Sequence, residues 1–431
     1  MTKISLDVPG RSRLPVPMRI VDVCAFYSPQ GGGVRTYIEA KLRAAARFGH
    51  EMIVLAPGPD HSVVQRAPGG YLATIPAPAL PVDRRYRYFD DDKALHRALD
   101  EWRPDHVEAS SPWSSATMVG RWDGAASRSL VMHADPLSAY AYRLLGGIAP
   151  IPTIDRWFGW FWNHLRGLDR MFDMVVCAND QLSGRLRNQG LGKVETIAMG
   201  VERGVFSPIR RSPELRRDLL ASLGLDPSAL LLMGIGRFAA EKRWEMVLRA
   251  AARSGRTGAV GLVLVGDGPR RRRLEILADQ SPHAMVLPPI RDRSELATLL
   301  ASADALVHGC EAETFCMVAA EARASGVPLI VPDRGAAVDQ LVPGGGAIYK
   351  SGSERSLADA ITGFAAKGRE LQRARAVQNS SARTMDQHFE QLFARYAEIG
   401  CEPDDVPAAE AIAIGAPLFA QGLATSTGMS L

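Results

Sequence analysis

The chain has 431 residues, 46% hydrophobic and 23% charged. That is a globular composition long enough for two domains, since single cores stop growing near about 250–300 residues. No run of about 18 or more apolar residues occurs, which excludes a transmembrane helix. Residues 1–17 carry Lys3, Arg11 and Arg13 without an apolar segment of the secretory type, so we expect a flexible N-terminus on a cytoplasmic protein. The cysteines, Cys24, Cys177, Cys310, Cys316 and Cys401, form no CxxC pair, which argues against a disulfide framework or a zinc site. The net charge is +4, and only seven of the 51 basic residues are lysine. Codon bias accounts for most of that arginine excess, although arginine also favours planar pairing with phosphate and carboxylate.

In chain order, short apolar runs predict strands at Met18–Cys24, Met52–Leu55, Leu130–His133 and Met174–Cys177. Helical patterns lie between them at Val34–Phe48, Asp92–Trp102, Asp155–Phe172 and Asp180–Asn188. The second half repeats the scheme. Strands fall at Leu230–Ile235, Val260–Val265, Ala284–Leu287, Ala305–Val307 and Pro328–Val331. Helices fall at Glu241–Ala252, Pro269–Ala278, Ser294–Ser302, Cys316–Ser325 and Ser356–Ala366. The Pro- and charge-rich stretch Phe206–Leu225 reads as a linker, and Arg369–Tyr396 as a further helix. Alternating strands and helices predict an α/β protein with two doubly wound Rossmann-like domains, residues 18–206 and 207–368, facing across a cleft. A helix over 369–400 then returns to the first domain, and 401–431 form a flexible tail that is disordered or membrane-bound.

In such sheets ligands sit beyond the carboxyl ends of the strands. The first strand runs into Tyr27-Ser-Pro-Gln-Gly-Gly-Gly33, where Gly32 and Gly33 let backbone amides approach an anion or a sugar. The loop is not GxGxxG and no acidic residue follows the second strand, which disfavours a dinucleotide. After the strand Leu230–Ile235, Arg237 and Lys242 stand five residues apart at a strand-to-helix turn, a placement that suits two phosphates. Glu313 and Glu321 stand eight residues apart, the first in a loop, the second two turns into a helix. A buried carboxylate needs a partner. A ribose diol would serve, and so would a neighbouring arginine. The acidic triplet Asp90–Asp92 opens a helix, where acids suit the positive dipole, and reads as a cap rather than a metal site.

These features, in this order, resemble the GT-B glycosyltransferases of the large retaining family 4, whose hallmark is E-x7-E. The resemblance runs from about Met18 to about Tyr396 through GIGRFAAEKRWE, VLVGDGP, the strand at 305–308 and ETFCMVAAEARASGVPLIVPD. It implies a nucleotide-sugar donor held by the second domain and an acceptor held by the first. It implies that Arg237 and Lys242 grip the diphosphate, that Glu313 lies by the donor sugar and that Glu321 binds the ribose. It also implies that Thr314, Phe315 and Cys316 present backbone amides, and that His133 lies near the donor sugar. Family members commonly have Phe-Gly-Leu where this chain has Phe315-Cys316-Met317, so a side chain stands beside the sugar where glycine is usual. We expect front-face displacement with retention and no metal. His106, His164, His283, His308 and His388 are read as structural.

Two aromatic and basic clusters point to a lipid acceptor. They are Arg84-Arg85-Tyr-Arg-Tyr-Phe89 and Arg156-Trp157-Phe-Gly-Trp160-Phe-Trp162, compositions suited to an anionic bilayer interface. The opening loop and HADPLSAYAYRLL are also similar to bacterial transferases that glycosylate diacylglycerol. The sequence therefore predicts UDP-glucose or UDP-glucuronate as donor, diacylglycerol or a related lipid as acceptor, and a peripheral position on the inner face of the membrane. Nothing in it points to nucleic acid. A soluble or polysaccharide acceptor, or UDP-sugar epimerisation, remains the alternative.

Overall fold

Valine, isoleucine and leucine runs flanked by glycine and proline build two mostly parallel sheets in a computed structural model that describes residues 17–27, 33–81, 86–255 and 259–400. The strands of the first half are β1 (Arg19–Val23), β2 (Glu51–Gly58), β3 (Ser62–Ala67), β4 (Gly70–Pro76), β5 (His106–Ala109), β6 (Ser127–Met132), β7 (Met174–Cys177) and β8 (Val194–Thr196). They lie in the order β3-β4-β2-β1-β5-β6-β7-β8. Pairing is parallel for β1 with β2 and β5, β2 with β4, and β7 with β8, whereas β3 runs antiparallel on β4 at the edge. The second half supplies β9 (Leu230–Ile235), β10 (Val260–Val265), β11 (Ala284–Leu287), β12 (Ala305–Val307), β13 (Leu329–Pro332) and β14 (Gly346–Tyr349). These form a fully parallel sheet in the order β11-β10-β9-β12-β13-β14.

Both orders reverse direction once. The chain leaves β1 on one side and returns to β5 on the other, and it does the same at β9 and β12. Such switch points open a crevice at the carboxyl ends of the two central strands. Among the described residues, one compact unit comprises those up to 27, 35–129 and 389–400, and the other comprises 130–388 with 33–34.

Three expectations are corrected. Phe206–Leu225 is not a linker: Pro213–Ser222 is a helix capped by the Ser212 hydroxyl, and Phe206, Leu220 and Leu223 are buried in the second-sheet core. Its Arg216 is buried and forks onto Asp304 with bonds of 2.9 and 2.7 Å, so a charge-rich segment is held by one desolvated ion pair. The helix expected over 155–172 is two, Ile151–Trp157 and Gly159–Met171, broken at Phe158. The C-terminal helix is likewise two, Arg369–Gln378 and Met385–Ile399. Asp91 caps the helix Asp92–Trp102 by accepting the Ala94 amide at 3.1 Å, as its place in the acidic triplet suggests. The N-terminal segment before residue 17 and the tail beyond 400 lie outside the described residues.

At the first switch point, Asp22 on β1 and Glu108 on β5 are register neighbours, and both are fully buried. Lys41, from the helix Gly33–Arg47, donates to Asp22 at 3.2 Å and to Glu108. Ser110 donates to Asp22 at 2.6 Å, and the Tyr396 hydroxyl donates to Glu108. Tyr396 stacks on His106 with ring centroids 3.8 Å apart, so the Phe389–Ile399 portion of the last helix is fastened to this sheet. One ammonium cannot neutralise two carboxylates. Burial, helped by the Glu108 charge, raises the Asp22 carboxyl to about 7 against the pull of Lys41. Because this pKa is raised on folding, Asp22 contributes most to stability below its ordinary 3.8, and the contribution is lost as pH rises through about 7. Lys41→Met should destabilise the chain by about 3–5 kcal/mol at pH 7.5, because it leaves two buried carboxylates without their cation. Urea unfolding should show a smaller deficit at pH 5, where protonation removes part of the repulsion.

Candidate functional site

The second switch point gathers most of the residues expected to act on a donor. β9 ends at Ile235 and the chain turns through Gly236–Lys242. A Cβ on Gly266, at the end of β10, would stand 2.0 Å from the Gly236 carbonyl oxygen, so the glycine of VLVGDGP is required by close approach to this turn. Phe238 is fully buried against Trp244, whose indole N–H donates to the Arg237 carbonyl at 2.9 Å and fixes the turn. Arg237 itself projects outward, 59% exposed, and pairs with Glu241 at 2.5 Å.

Lys242 closes the short 3-10 turn Ala240–Lys242, and Arg243 follows in the left-handed region at φ 53° to start the helix Trp244–Ser254. These consecutive cations reach the loop after β12: Lys242 pairs with Glu313, and Arg243 with Glu311. Burial alone would lower the Lys242 ammonium, but the Glu313 carboxylate overcomes it and raises the lysine above its ordinary value. Burial would likewise raise Glu313, and Lys242 with His308 instead holds it well below the carboxylate range. The pair is therefore fully ionised at neutral pH. His308 does more than fill space: it is buried with Nε2 3.3 Å from Glu313 Oε1 and its ring edge-on to Trp244. His308, Glu313 and Cys316 bring ligand atoms within 4.8 Å of one another. The Lys242 ammonium on the same carboxylate opposes a divalent cation there.

The loop is anchored from the second unit's own first segment. The Thr314 hydroxyl donates to the His133 carbonyl at 2.9 Å, and the Asn179 amide donates to the Thr314 carbonyl. His133 thus stands beside the loop through its backbone carbonyl, and Asn179 is an anchor that motif reading missed. The backbone amides of Thr314, Phe315 and Cys316 make no hydrogen bond among the described residues. Phe315 and Cys316 point their side chains into the core. Cys316 has φ 61° and ψ 68°, the left-handed conformation that glycine adopts without cost, and it precedes the helix Met317–Ala324. The usual glycine at this position is therefore a backbone requirement that cysteine meets under strain.

Glu321 is buried on that helix and has a protein partner: Arg293 Nη2 donates to it at 2.5 Å. Of the two partners the sequence allowed, the structure supplies the arginine. Gly33 opens the helix Gly33–Arg47. Gly32, Arg84 and Arg85 lie outside the described residues. The tryptophan cluster divides. Trp157 and Trp160 are about half exposed, whereas Trp162, expected at a membrane or acceptor surface, is core, with Phe161 and Leu165. The break at Phe158 re-aims the second helix so that one face buries Phe161 and Trp162.

Two doubly wound α/β sheets define the fold class, and similarity to known proteins places it among the GT-B glycosyltransferases. Residues 216–383 match the family described as glycosyl transferases group 1, and residues 31–204 match glycosyltransferase family 4. The chain is 32% identical over 333 residues to a GDP-mannose-dependent alpha-mannosyltransferase of Mycobacterium tuberculosis, covering 76% of this chain and 82% of the relative. It is 29% identical to a GDP-mannose-dependent alpha-(1-6)-phosphatidylinositol dimannoside mannosyltransferase from the same species, covering 77% and 83%. The fold matches sucrose-phosphate synthase from Thermosynechococcus elongatus with a TM-score of 0.66 at 20% identity, over 88% of this chain and 96% of that one. The chain belongs to the glycosyl transferases of group 1, the family 4 enzymes.

The geometry at Cys316 is testable. Cys316→Gly removes the left-handed cost of about 1–2 kcal/mol together with one buried thiol, so unfolding should shift little. Cys316→Val, β-branched, should lose more than about 2 kcal/mol in the same denaturation measurement.

Proposed function

We propose that this enzyme transfers mannose from GDP-mannose, with retention of configuration, to a lipid-borne hydroxyl at a membrane surface. The donor reading rests on the GDP-mannose dependence in the names of both mycobacterial relatives. It replaces the expectation of a UDP-sugar.

The observation that carries the lipid acceptor is an exposed apolar row. Tyr140, Leu144, Ile148 and Trp157 are each more than half exposed, and Trp160 half, all between positions 140 and 160. Apart from Ile148, which lies in the turn between Leu145 and Ile151, they lie on a π-helix at Leu137–Tyr142, the turn Arg143–Leu145 and the helices Ile151–Trp157 and Gly159–Met171, which pack on one another. The row is held rigid. The Tyr142 hydroxyl donates to Asp155, and Arg185 pairs with Asp135 while lying over the Tyr142 ring at 5.2 Å. Large apolar groups kept in water on a fixed frame mark an interaction surface, and Arg143 and Arg156 on the same segment suit anionic headgroups. No helix among the described residues is long and apolar enough to cross a membrane, so contact would be peripheral.

In the reaction, the bond from the anomeric carbon to the diphosphate breaks as the acceptor oxygen bonds to the same face. The departing phosphate oxygen takes the acceptor's proton. Lys242 has two further N–H donors beyond the one on Glu313, and its charge is locked on by that carboxylate. It would bind the leaving diphosphate together with Arg237, released from Glu241, and the amides of Thr314–Cys316. Glu313, held ionised, would face the positive charge developing on the sugar. Glu321 would accept from the ribose. This scheme uses protein cations for the leaving group and needs no metal.

Radiolabelled GDP-mannose and UDP-glucose should be compared with vesicles containing phosphatidylinositol or diacylglycerol. Label should enter the organic extract from GDP-mannose only. Label confined to water-soluble product, or sugar isomerisation without acceptor, would overturn the lipid reading. Lys242→Ala should lower kcat by at least ~10²-fold in that assay. Replacing Ile148, Trp157 and Trp160 with Ser should abolish sedimentation with anionic vesicles while leaving the thermal transition in place. Trp162→Ser should instead lower the transition.

A further inference from the structure

Arg293 is the first residue of the helix Arg293–Ser302, and no motif singles it out. Its guanidinium serves three groups. Nη2 donates to Glu321 at 2.5 Å, Nε donates to Glu202 at 3.1 Å, and the planar group lies 4.8 Å from the centre of the Phe206 ring. Glu202 and Phe206 follow β8, and Glu321 sits on the helix after β12, so one side chain joins residues 202, 206 and 321. The requirement is physical. Glu321 is almost fully buried, and a carboxylate there cannot stay charged without a desolvated cation beside it.

We propose that Arg293 is the positioning residue for nucleoside recognition. By occupying one oxygen of Glu321 it keeps the carboxylate charged and in one rotamer, leaving the other oxygen to accept from the ribose hydroxyls of a nucleoside diphosphate. The proposal rests on the reading of Glu321 as the ribose contact. Arginine is needed because a planar fork can bond Glu202 with Nε and Glu321 with Nη2 at once and still lie over the Phe206 ring, which an ammonium cannot do. Glu202 in turn fixes the fork, so the carboxylate is aimed rather than merely neutralised.

The charge state follows the same geometry. Burial raises the Glu321 carboxyl above its ordinary value, and Arg293 works against that rise while Glu202 adds to it. These are the charged groups that act on Glu321. Asp339, on the turn Val338–Gln340 packed against the same helix, is raised by its own burial and by Asp180. Removing Arg293 therefore shifts Glu321 further toward its protonated form, and a protonated carboxyl gives the ribose a weaker acceptor.

The test is calorimetric titration of the full chain with GDP and with 2′,3′-dideoxy-GDP between pH 6.5 and 9. Native protein should prefer GDP by at least ~10-fold across that range, as expected for hydroxyls bonded to a charged group. Arg293→Met should weaken that preference, and more at the low end of the pH range than at the high end, where the carboxylate form is favoured. Arg293→Lys keeps a cation in place and should retain a reduced preference, which covers the case in which the methionine variant does not fold. In turnover, KM for GDP-mannose should rise in both variants while kcat changes little. An undiminished, pH-independent preference for GDP in Arg293→Met and Arg293→Lys overturns the role of Arg293. A normal preference for GDP in Glu321→Gln overturns the ribose reading itself, and the proposal with it. Loss in Glu321→Gln with none in the Arg293 variants sinks the proposal alone.

Discussion

A buried carboxylate at the carboxyl end of a parallel strand has to be held charged without water, and this protein meets that constraint with a single lysine at each of its two switch points. Lys41 lies between Asp22 and Glu108 beside β1 and β5, and Lys242 meets Glu313 beside β9 and β12. The two outcomes differ because the charge counts differ. Two carboxylates share Lys41 and Asp22 is raised to about 7, whereas one carboxylate on Lys242, backed by His308, leaves a fully ionised pair. The first arrangement anchors Tyr396 and so the last helix. The second engages one donor of Lys242 among the described residues.

The architecture was legible because parallel strands buried on both faces read as unbroken apolar runs. Met174–Cys177, Leu230–Ile235, Val260–Val265, Ala284–Leu287 and Ala305–Val307 were placed to the residue. Three edge strands, β3, β8 and β14, were not, although the edge strand β11 was. β3 is exposed along most of its length and carries Gln65 and Arg66, and β8 and β14 are short, so none shows the periodicity that buried strands show. Phe206–Leu225 misled through composition, since its arginine and proline content signals solvent, yet Arg216 is desolvated onto Asp304, 88 residues away. The aromatic run around Trp160 misled through continuity, because a single break at Phe158 changes which faces are buried. Motif spacing found Lys242, Glu313 and Glu321, but Arg293, which pairs with Glu321, and Asn179, which anchors Thr314, approach from other elements and leave no pattern in the chain.

Cys316 shows how a departure from a family habit can be read once the backbone is known. The sequence raises a question of donor selectivity, a side chain standing where glycine is usual. The structure turns that into a question of strain, because the Cβ is directed into a core with Phe315 while the residue sits at φ 61°. The loop amides are held in that geometry by the Thr314–His133 and Asn179–Thr314 bonds. Strain stored at a site persists only where the surroundings over-determine it, and these two bonds are that surrounding.

Arginine outnumbers lysine heavily here, and several arginines stand where one element meets another. Arg216 on Asp304, Arg185 on Asp135, Arg243 on Glu311 and Arg293 on Glu202 and Glu321 are pairs that hold one element against another. A guanidinium fork does this well because its donors lie in one plane and its charge does not titrate. A leaving diphosphate asks for something different: a compact charge that can keep one bond and offer others as negative charge builds. Lys242 has that property, and among the five groups it is the one whose partner, Glu313, stands nearest the reacting sugar in the proposed complex. In the proposed reaction Lys242 answers the leaving group, whereas Arg216, Arg185, Arg243 and Arg293 hold one element against another.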